Sequence, residues 1–276
     1  MKKAALMVGV VVLVALAVYG WQQGYLGPRL ELNRVLVNAP SHFDRDPAMR
    51  DAIRDMVAAS LDQDPRVDWS PESTSDAGHS LELQVGDVVE VQGEQRREVL
   101  VRLIPANGNP PIDAMGYGNE PHRLVGSVEH GFRDGWAHVR WRLEHLQKPV
   151  SELLALLPTT QDKRQRLFLI TRLGELRSRE AVEPMIALLK QEQDDATILR
   201  LIGSLAQIGD DRAVEAMIGS TRLKDEIFMV QVVYAIGGIG GRMAEGFLVT
   251  LASGHPSPRV KNAARRMLDE GKAPTK

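Results

Sequence analysis

Between residues 148 and 270, apolar and polar positions recur with a period of about 32 residues. The stretch Ala181–Leu189 returns 32 positions later as Ala213–Ile218, and a more divergent copy begins at Ala244. Counting back by the same interval reaches Pro149, so the array begins near Lys148. We call these copies the first pattern. A fixed period of this length is typical of stacked helical repeats.

A second helical pattern lies between these copies and opens at Asp162, Asp194, Asp225 and Pro256. Asp is favoured at helix N-termini because its side chain accepts hydrogen bonds from unpaired backbone N–H groups. The apolar stripe of each helix pair is too wide for its own partner helix, so neighbouring pairs must stack. The apolar positions recur in register: Leu169, Leu201, Val232 and Ala263; Ile170, Ile202, Val233 and Ala264; Leu173, Leu205, Ile236 and Met267.

Residues 148–270 resemble the short HEAT-like repeats of about 30 residues found in phycobilisome-lyase-type proteins. The segments that show the resemblance are Leu173–Leu176 followed by Ala181–Met185, and Leu205–Asp210 followed by Ala213–Glu215. The resemblance implies an all-α solenoid. It also implies a protein-binding scaffold, although some members of the family have enzymatic or nucleic-acid roles.

The first-pattern helices leave one stripe of positions outside the predicted core, at spacings of i, i+4 and i+7. Small residues run down its middle, with acids at one margin and bases at the other. The resemblance implies that this stripe lines a concave surface, which would suit a helix or an extended peptide. The other interpretation is that the small residues permit packing and the charges are merely solvated. The candidate partner-binding residues are Ser151, Glu183, Ala187, Lys190, Glu215, Gly219, Arg222 and Thr250.

The last helix differs from the earlier copies because basic residues occupy its outward and end-facing positions. A terminal repeat needs a polar outer face, and we favour this explanation over a basic binding patch. The residues are Arg259, Lys261, Asn262, Arg265 and Arg266.

Residues 22–147 predict an α+β domain with helices on one face of a mainly antiparallel sheet. The predicted elements are a strand at 30–37, a helix from Asp46-Pro47 to Leu61, a short strand at 66–69, a hairpin of 81–91 with 98–104, a strand at 123–129 and a helix at 134–146. The segment 105–121 is a long Pro- and Gly-rich loop, either a binding loop or, as we favour, a disordered one. His138 and His145 would share a helix face as surface residues.

The N-terminal residues 1–21 predict either a signal anchor or a cleaved signal peptide. Lys2 and Lys3 precede an uncharged run from Ala4 to Tyr19. Tyr19 and Trp21 lie where interfacial aromatic residues would hold a spanning helix, and we favour the uncleaved anchor. The protein would then be a single-pass protein of the inner membrane, with its C-terminal bulk in the periplasm.

Charge and composition narrow the possible functions. Residues 22–147 contain 13 Lys and Arg against 20 Asp and Glu, a net charge of −7, whereas 148–276 contain 19 against 16, a net charge of +3. A nucleic-acid-binding domain is usually strongly basic, so we expect no nucleic-acid partner. The chain has no cysteine, which excludes disulfides and thiolate chemistry.

The sequence contains no motif that indicates catalysis or cofactor binding. Gly237–Gly241 resembles a phosphate loop, but no Lys-Ser/Thr pair follows it, and it aligns with the turns of the other repeats. The histidines match no zinc-site spacing. We therefore expect no enzyme, no cofactor and no metal site.

These patterns predict a membrane-anchored extracytoplasmic adaptor. The repeat region 148–276 would bind a protein partner within an envelope assembly. The alternative is an accessory subunit whose α+β domain binds a small envelope glycan or lipid, with the repeats as a spacer.

Overall fold

The computed structural model describes residues 29–38, 47–71, 78–222 and 224–272. The chain divides into two compact units between Leu143 and Glu144. The predicted signal anchor or signal peptide at 1–21 lies outside the described residues. In the part of the chain that is described, no helix has both the length and the apolar character needed to cross a bilayer.

The first unit is an α+β unit, as the sequence predicts. Its five strands lie in the order β2-β1-β3-β4-β5. The elements in chain order are β1 (Leu30–Asn38), α1 (Pro47–Asp62), β2 (Val67–Trp69), β3 (His79–Val91), β4 (Glu94–Ile104), β5 (Ile112–Gly118) and α2 (Leu124–His145).

The sheet is mixed, so the predicted antiparallel pairing holds for three of its five described strands. Strand β1 pairs in parallel with β2, because α1 connects the two strands as a crossover helix. Strand β1 also pairs in parallel with β3. Strands β3, β4 and β5 pair antiparallel. Between β3 and β4, Gln92 and Gly93 both have positive φ, which suits a two-residue hairpin turn.

Both helices pack against one core formed with alternate residues of the strands. Leu81, Leu83, Val99 and Val101 are fully buried there, because successive strand residues point to opposite faces of the sheet. Helix α1 contributes Ile53, Val57 and Leu61, and α2 contributes Val128, Phe132, Trp136 and Val139.

Two predictions about the end of this unit are wrong. The segment predicted as a strand at 123–129 is the start of helix α2, which begins at Leu124 rather than at Asp134. The segment predicted as a disordered or binding loop at 105–121 contains strand β5. In the second case the Pro- and Gly-rich composition suggested a loop, whereas Gly116 and Gly118 are the points where β5 touches α2.

The contact between β5 and α2 is unusually close because glycines face it. A Cβ atom on Gly116 would lie 1.9 Å from the carbonyl oxygen of Gly131, and one on Gly118 would lie 1.9 Å from the carbonyl oxygen of Ser127. On the helix side, Gly131 and Gly135 approach Val99 and Val101 of the neighbouring strand β4. The glycines therefore permit the backbones to approach more closely than any side chain would allow.

A buried carboxylate joins the α1–β2 connection to α2. The Asp64 side chain is 6% exposed and accepts hydrogen bonds from Trp136 Nε1 at 3.0 Å and Arg140 Nη1 at 2.8 Å. Asp64 also accepts from the backbone N–H of Arg66. This network connects the segment after α1 to α2, the last helix of this unit.

The second unit is helical in its described residues. First-pattern helices are α3 (Val150–Leu156), α5 (Val182–Gln191), α7 (Ala213–Gly219) and α9 (Gly241–Gly254); second-pattern helices are α4 (Lys163–Glu175), α6 (Asp195–Ile208), α8 (Glu226–Ile239) and α10 (Pro258–Lys272). Each second-pattern helix packs against the next one in order, and α5, α7 and α9 do likewise.

Equivalent positions of successive second-pattern helices are buried together, as the register predicts. Leu173, Leu205 and Ile236 are all fully buried, and Met267 is partly buried in the last helix. Gly174 also permits close packing between α4 and α6, because a Cβ atom there would lie 2.7 Å from the Cβ of Ser204. Residues about one period apart therefore occupy equivalent buried positions in successive helices.

The predicted aspartate N-caps are present in three of the second-pattern helices. Asp162 accepts from the backbone N–H groups of Arg164 and Gln165, Asp194 from that of Thr197, and Asp225 from that of Phe228. The fourth helix begins at Pro258, not at Pro256 as predicted. There the Ser257 hydroxyl accepts from the backbone N–H groups of Arg259 and Val260.

Ion pairs join neighbouring second-pattern helices near their N-terminal ends. Each pair links one helix to the next, so the stack is held by polar contacts at its edge as well as by its core. The pairs are Lys163–Asp194 at 2.9 Å, Asp195–Lys224, and Glu226–Arg259 at 3.3 Å.

Candidate functional site

All eight candidate partner-binding residues are exposed, seven of them on the first-pattern helices. Ser151 lies on α3, and Thr250 lies on α9. Glu183, Ala187 and Lys190 lie on α5, and Glu215 and Gly219 lie on α7, whereas Arg222 lies in the turn that follows α7.

The structure brings four of these residues together in a cleft between α5 and α7. The cleft has a volume of about 610 Å³ and includes Lys190, Glu215, Gly219 and Arg222 in its lining. Its apolar surface comes from Leu189, Ile198 and Ala216. Ser151, Glu183, Ala187 and Thr250 do not line this cleft.

The cleft includes polar residues that the sequence analysis missed. They come from the ends of α5 and α7 and the connections that follow these helices: Glu192, Gln193, Ser220 and Lys224. Glu192 and Lys224 are 32 positions apart, as are Lys190 and Arg222. Extending the repeat alignment past the helix ends would have found them, because equivalent residues of adjacent repeats become neighbours in a stack.

Three charged groups of the cleft are available to a ligand. Within the described residues, Lys190, Glu215 and Arg222 have no ion-pair or hydrogen-bond partner. Glu192, by contrast, accepts from the backbone N–H groups of Gln193 and Asp194 at 2.9 and 3.0 Å. The cleft thus presents one cation in the last turn of α5, one cation in the turn after α7 and one carboxylate on α7.

Two of the fixed charges are held by the neighbouring repeat helices. Glu192 lies 3.8 Å from Arg166 on α4, and Lys224 pairs with Asp195 on α6. Lys224 also lies 5.3 Å from the ring centroid of Phe228, within the range of a cation–π contact. These contacts fix the floor of the cleft, whereas the unpaired charges define its rim.

Glu183 is engaged within the protein. Its carboxylate lies 3.1 Å from Arg212 Nη1, and the same guanidinium lies 2.8 Å from Asp210. The hydrogen bond from Arg212 lowers the pKa of Asp210 to about 2. Glu183 therefore joins α5 to the turn before α7 and is less available to a partner than Glu215.

Thr250 has a local role on α9. Its hydroxyl donates to the backbone carbonyl of Gly246 at 2.9 Å, one turn earlier. This bond satisfies the hydroxyl within the helix, so Thr250 presents mainly its methyl group.

The glycine run Gly237–Gly241 is only partly the turn that its alignment predicts. Gly237 lies inside α8, where a Cβ atom would meet Met267 at 2.7 Å. Gly240 and Gly241 have φ of 74° and 89° and form the turn into α9. The run therefore combines one packing contact with one turn.

His138 and His145 are buried, with 7% and 9% exposure, so their prediction as surface residues is wrong. His138 Nε2 lies 3.7 Å from Asp134 Oδ1, one turn earlier on α2. Among the residues that the structure describes, no group of three His, Asp or Glu side chains is arranged to hold a metal ion.

Comparison with known proteins does not assign the chain to a family. No protein-family model matches it, and no curated protein sequence is significantly similar to it.

Proposed function

We propose that the protein is an adaptor that binds a protein partner along its first-pattern helices, with the cleft between α5 and α7 as the centre of the site. In this proposal residues 148–276 form a HEAT-like solenoid. Residues 1–21 anchor the chain in the inner membrane, and the bulk of the protein lies in the periplasm as part of an envelope assembly.

The solenoid proposal is supported by contacts that recur once per repeat. Interior residues one period apart are buried together, and each second-pattern helix is joined to the next by an ion pair. Each helix pair contacts chiefly the adjacent pairs, which is how solenoid repeats are stabilised. Such repeats leave one row of helices free for binding.

The observation that carries the binding proposal is the cleft with unpaired charges one repeat apart. Lys190 on α5 and Arg222 just after α7 are equivalent in the repeat alignment, and the small residue Gly219 leaves room between them. A peptide that crosses the two helices could place carboxylates near the two cations and a cation near Glu215. Charges arranged in this way favour one orientation of the partner over the reverse.

The proposal is tested by capture of partners from native membranes. The full-length protein, the double variant Lys190→Glu/Arg222→Glu and the control Arg200→Glu would be crosslinked in cells and recovered under identical conditions. Arg200 is exposed on α6 and lies outside the cleft. We expect the double variant to lose a specific crosslinked protein that the wild type and the control retain.

Two outcomes would contradict the proposal. If the double variant recovers the same proteins as the control, the cleft is not the binding site. If a reporter fused after Lys276 is active only in the cytoplasm, the proposed location in the periplasm is wrong.

A further inference from the structure

Helix α8 is apolar on every side, yet part of its surface is exposed. Apart from Glu226 and Gln231, its sequence contains only apolar residues, Gly and Tyr. A helix that is apolar all round is normally enclosed by other elements. Ile227 is nevertheless 65% exposed and Tyr234 39% exposed. With Val230 they lie at i, i+3 and i+7, so they form one stripe along the helix.

This exposed stripe is not a general feature of the repeats. The residues 31 positions before Ile227 and Tyr234 are Ala196 and Gly203 on α6, and those 31 positions after them are Pro258 and Arg265 on α10. Only α8, among the described second-pattern helices, has large apolar side chains at both positions. Stacking of the repeats therefore does not explain them.

The stripe lines a groove between α8 and α10 with a volume of about 410 Å³. Ala263 of α10 adds to its apolar surface, and Arg259, Asn262 and Arg266 form its other side. These polar residues were expected to form the polar outer face of the last repeat. Their side chains also border a groove shared with α8.

The rim of the groove is basic. Glu226 is the acidic residue of its described lining, and it is already bound by Arg259 Nε at 3.3 Å and by the Ser257 hydroxyl. The Arg259 side chain remains 77% exposed. Arg266 Nη1 lies 3.5 Å from the Tyr234 hydroxyl, at the edge of the apolar surface. Two guanidinium groups thus flank an apolar floor.

We propose that this groove binds an acidic amphipathic helix of a second protein partner. Apolar side chains of that helix at i, i+3 and i+7 pack on Ile227, Val230 and Tyr234, which is the usual mode of helix-in-groove recognition. Its carboxylates pair with Arg259 and Arg266, because guanidinium groups bind carboxylates in a bidentate manner. The site is separate from the cleft between α5 and α7.

Two other occupants fit the groove less well. A second copy of the chain in a two-fold dimer would place the same patch against itself, so Arg259 and Arg266 would face their own counterparts. A lipid surface would meet the cations but, being flat, would leave the recess between the two helices unfilled. A helix that inserts apolar side chains fills the recess, and its carboxylates pair with Arg259 and Arg266.

The test uses the purified full-length protein and two fluorescent helical peptides of about four turns each. Both peptides have Leu at i, i+3, i+4 and i+7; one has Glu at its flanking positions, and the other has Lys. Fluorescence anisotropy measures their binding at low and at physiological ionic strength. We expect the wild type to bind the acidic peptide about tenfold or more tightly than the basic one.

Two sets of variants separate the charges from the apolar floor. Arg259→Glu/Arg266→Glu should weaken binding of the acidic peptide about tenfold or more, and Ile227→Ser/Tyr234→Ser should weaken binding of both peptides. Both pairs alter exposed residues, and far-UV circular dichroism confirms that the variants are folded. The control variant Arg200→Glu should leave peptide binding unchanged.

Several results would overturn the proposal. Equal binding of the two peptides, or an unchanged affinity in Arg259→Glu/Arg266→Glu, would show that the groove does not select acidic helices. A concentration-dependent dimer that Tyr234→Ser dissolves would assign the groove to a second copy. Binding to phosphatidylglycerol vesicles that requires the same arginines, with neither peptide bound, would assign it to a lipid surface.

Discussion

The close contact between β5 and α2 makes a sharp prediction about stability. Replacing Gly116 by Ala places a Cβ atom 1.9 Å from the carbonyl oxygen of Gly131 and 2.5 Å from the backbone nitrogen of Gly135. Both atoms belong to the backbone of α2, so no side-chain rotation can relieve the clash. Since real Cβ contacts essentially never fall below 3.0 Å, strand and helix must separate by about 1 Å.

This separation is costly because it disturbs the centre of the first unit. Phe132 and Trp136, which stack at 6.3 Å between ring centroids, are 0% and 5% exposed and would lose contacts as α2 moves. Overpacking typically costs about 1–3 kcal/mol, and the gaps opened elsewhere add to it. We expect Gly116→Ala to lower the free energy of unfolding by about 3 kcal/mol. With a urea slope of about 2 kcal/mol per molar, the midpoint falls by about 1.5 M.

Tryptophan fluorescence in urea does not report on the second unit, because the four tryptophans at positions 21, 69, 136 and 141 all precede Glu144. The matched control is Gly126→Ala in the same helix, where an added Cβ would have no neighbour within 4 Å. Alanine there should leave the midpoint unchanged or raise it, since Gly weakens a helix relative to Ala by about 0.5–1 kcal/mol. If Gly116→Ala unfolds at the same urea concentration as Gly126→Ala, the packing argument is refuted.

Four further substitutions test three other features of the structure. Asp64→Ala leaves a buried indole N–H and a guanidinium without their acceptor, and should cost about 1–3 kcal/mol in the same fluorescence assay. Arg177 and Gly209, which are 32 residues apart, both have positive φ, of 49° and 73°. Glycine adopts positive φ without the steric strain of other residues. Arg177→Gly should therefore raise the thermal unfolding midpoint measured by far-UV circular dichroism, and Gly209→Ala should lower it. Hydrogen bonds from Thr197 and Lys163 lower the pKa of Asp194 to about 2. The charged Asp194 side chain contributes its full stabilisation above the ordinary pKa of 3.8, and this contribution is lost as pH falls towards 2. In Asp194→Asn the free energy of unfolding should therefore depend less steeply on pH between these two values.

The interior of the second unit could be predicted from the sequence because one alignment defines it. Once Leu173, Leu205 and Ile236 are placed in register, the same helical period specifies which face of each helix is buried. Asp162, Asp194 and Asp225 could be assigned to helix starts because N-capping depends on contacts within three residues. Local rules and a repeat period are both visible in the sequence.

The first unit was harder to predict because its glycines act over long sequence distances. Gly116 and Gly118 suggested a loop. Together with Gly131 they permit the close approach of β5 to α2, which no local pattern records. No local pattern distinguishes Asp64, because its partner Trp136 lies 72 residues away.

The two proposed surfaces belong to different rows of helices, which makes their effects separable. The cleft lies chiefly on the first-pattern helices α5 and α7, and the groove lies on the second-pattern helices α8 and α10. No residue lines both, so Lys190→Glu/Arg222→Glu and Arg259→Glu/Arg266→Glu change one charge arrangement each. An adaptor must hold two partners at the same time, and two rows of helices that face different neighbours offer a physical means of doing so. If each double variant abolished both interactions, the surfaces would be coupled through the core, and a simple adaptor would no longer account for the protein.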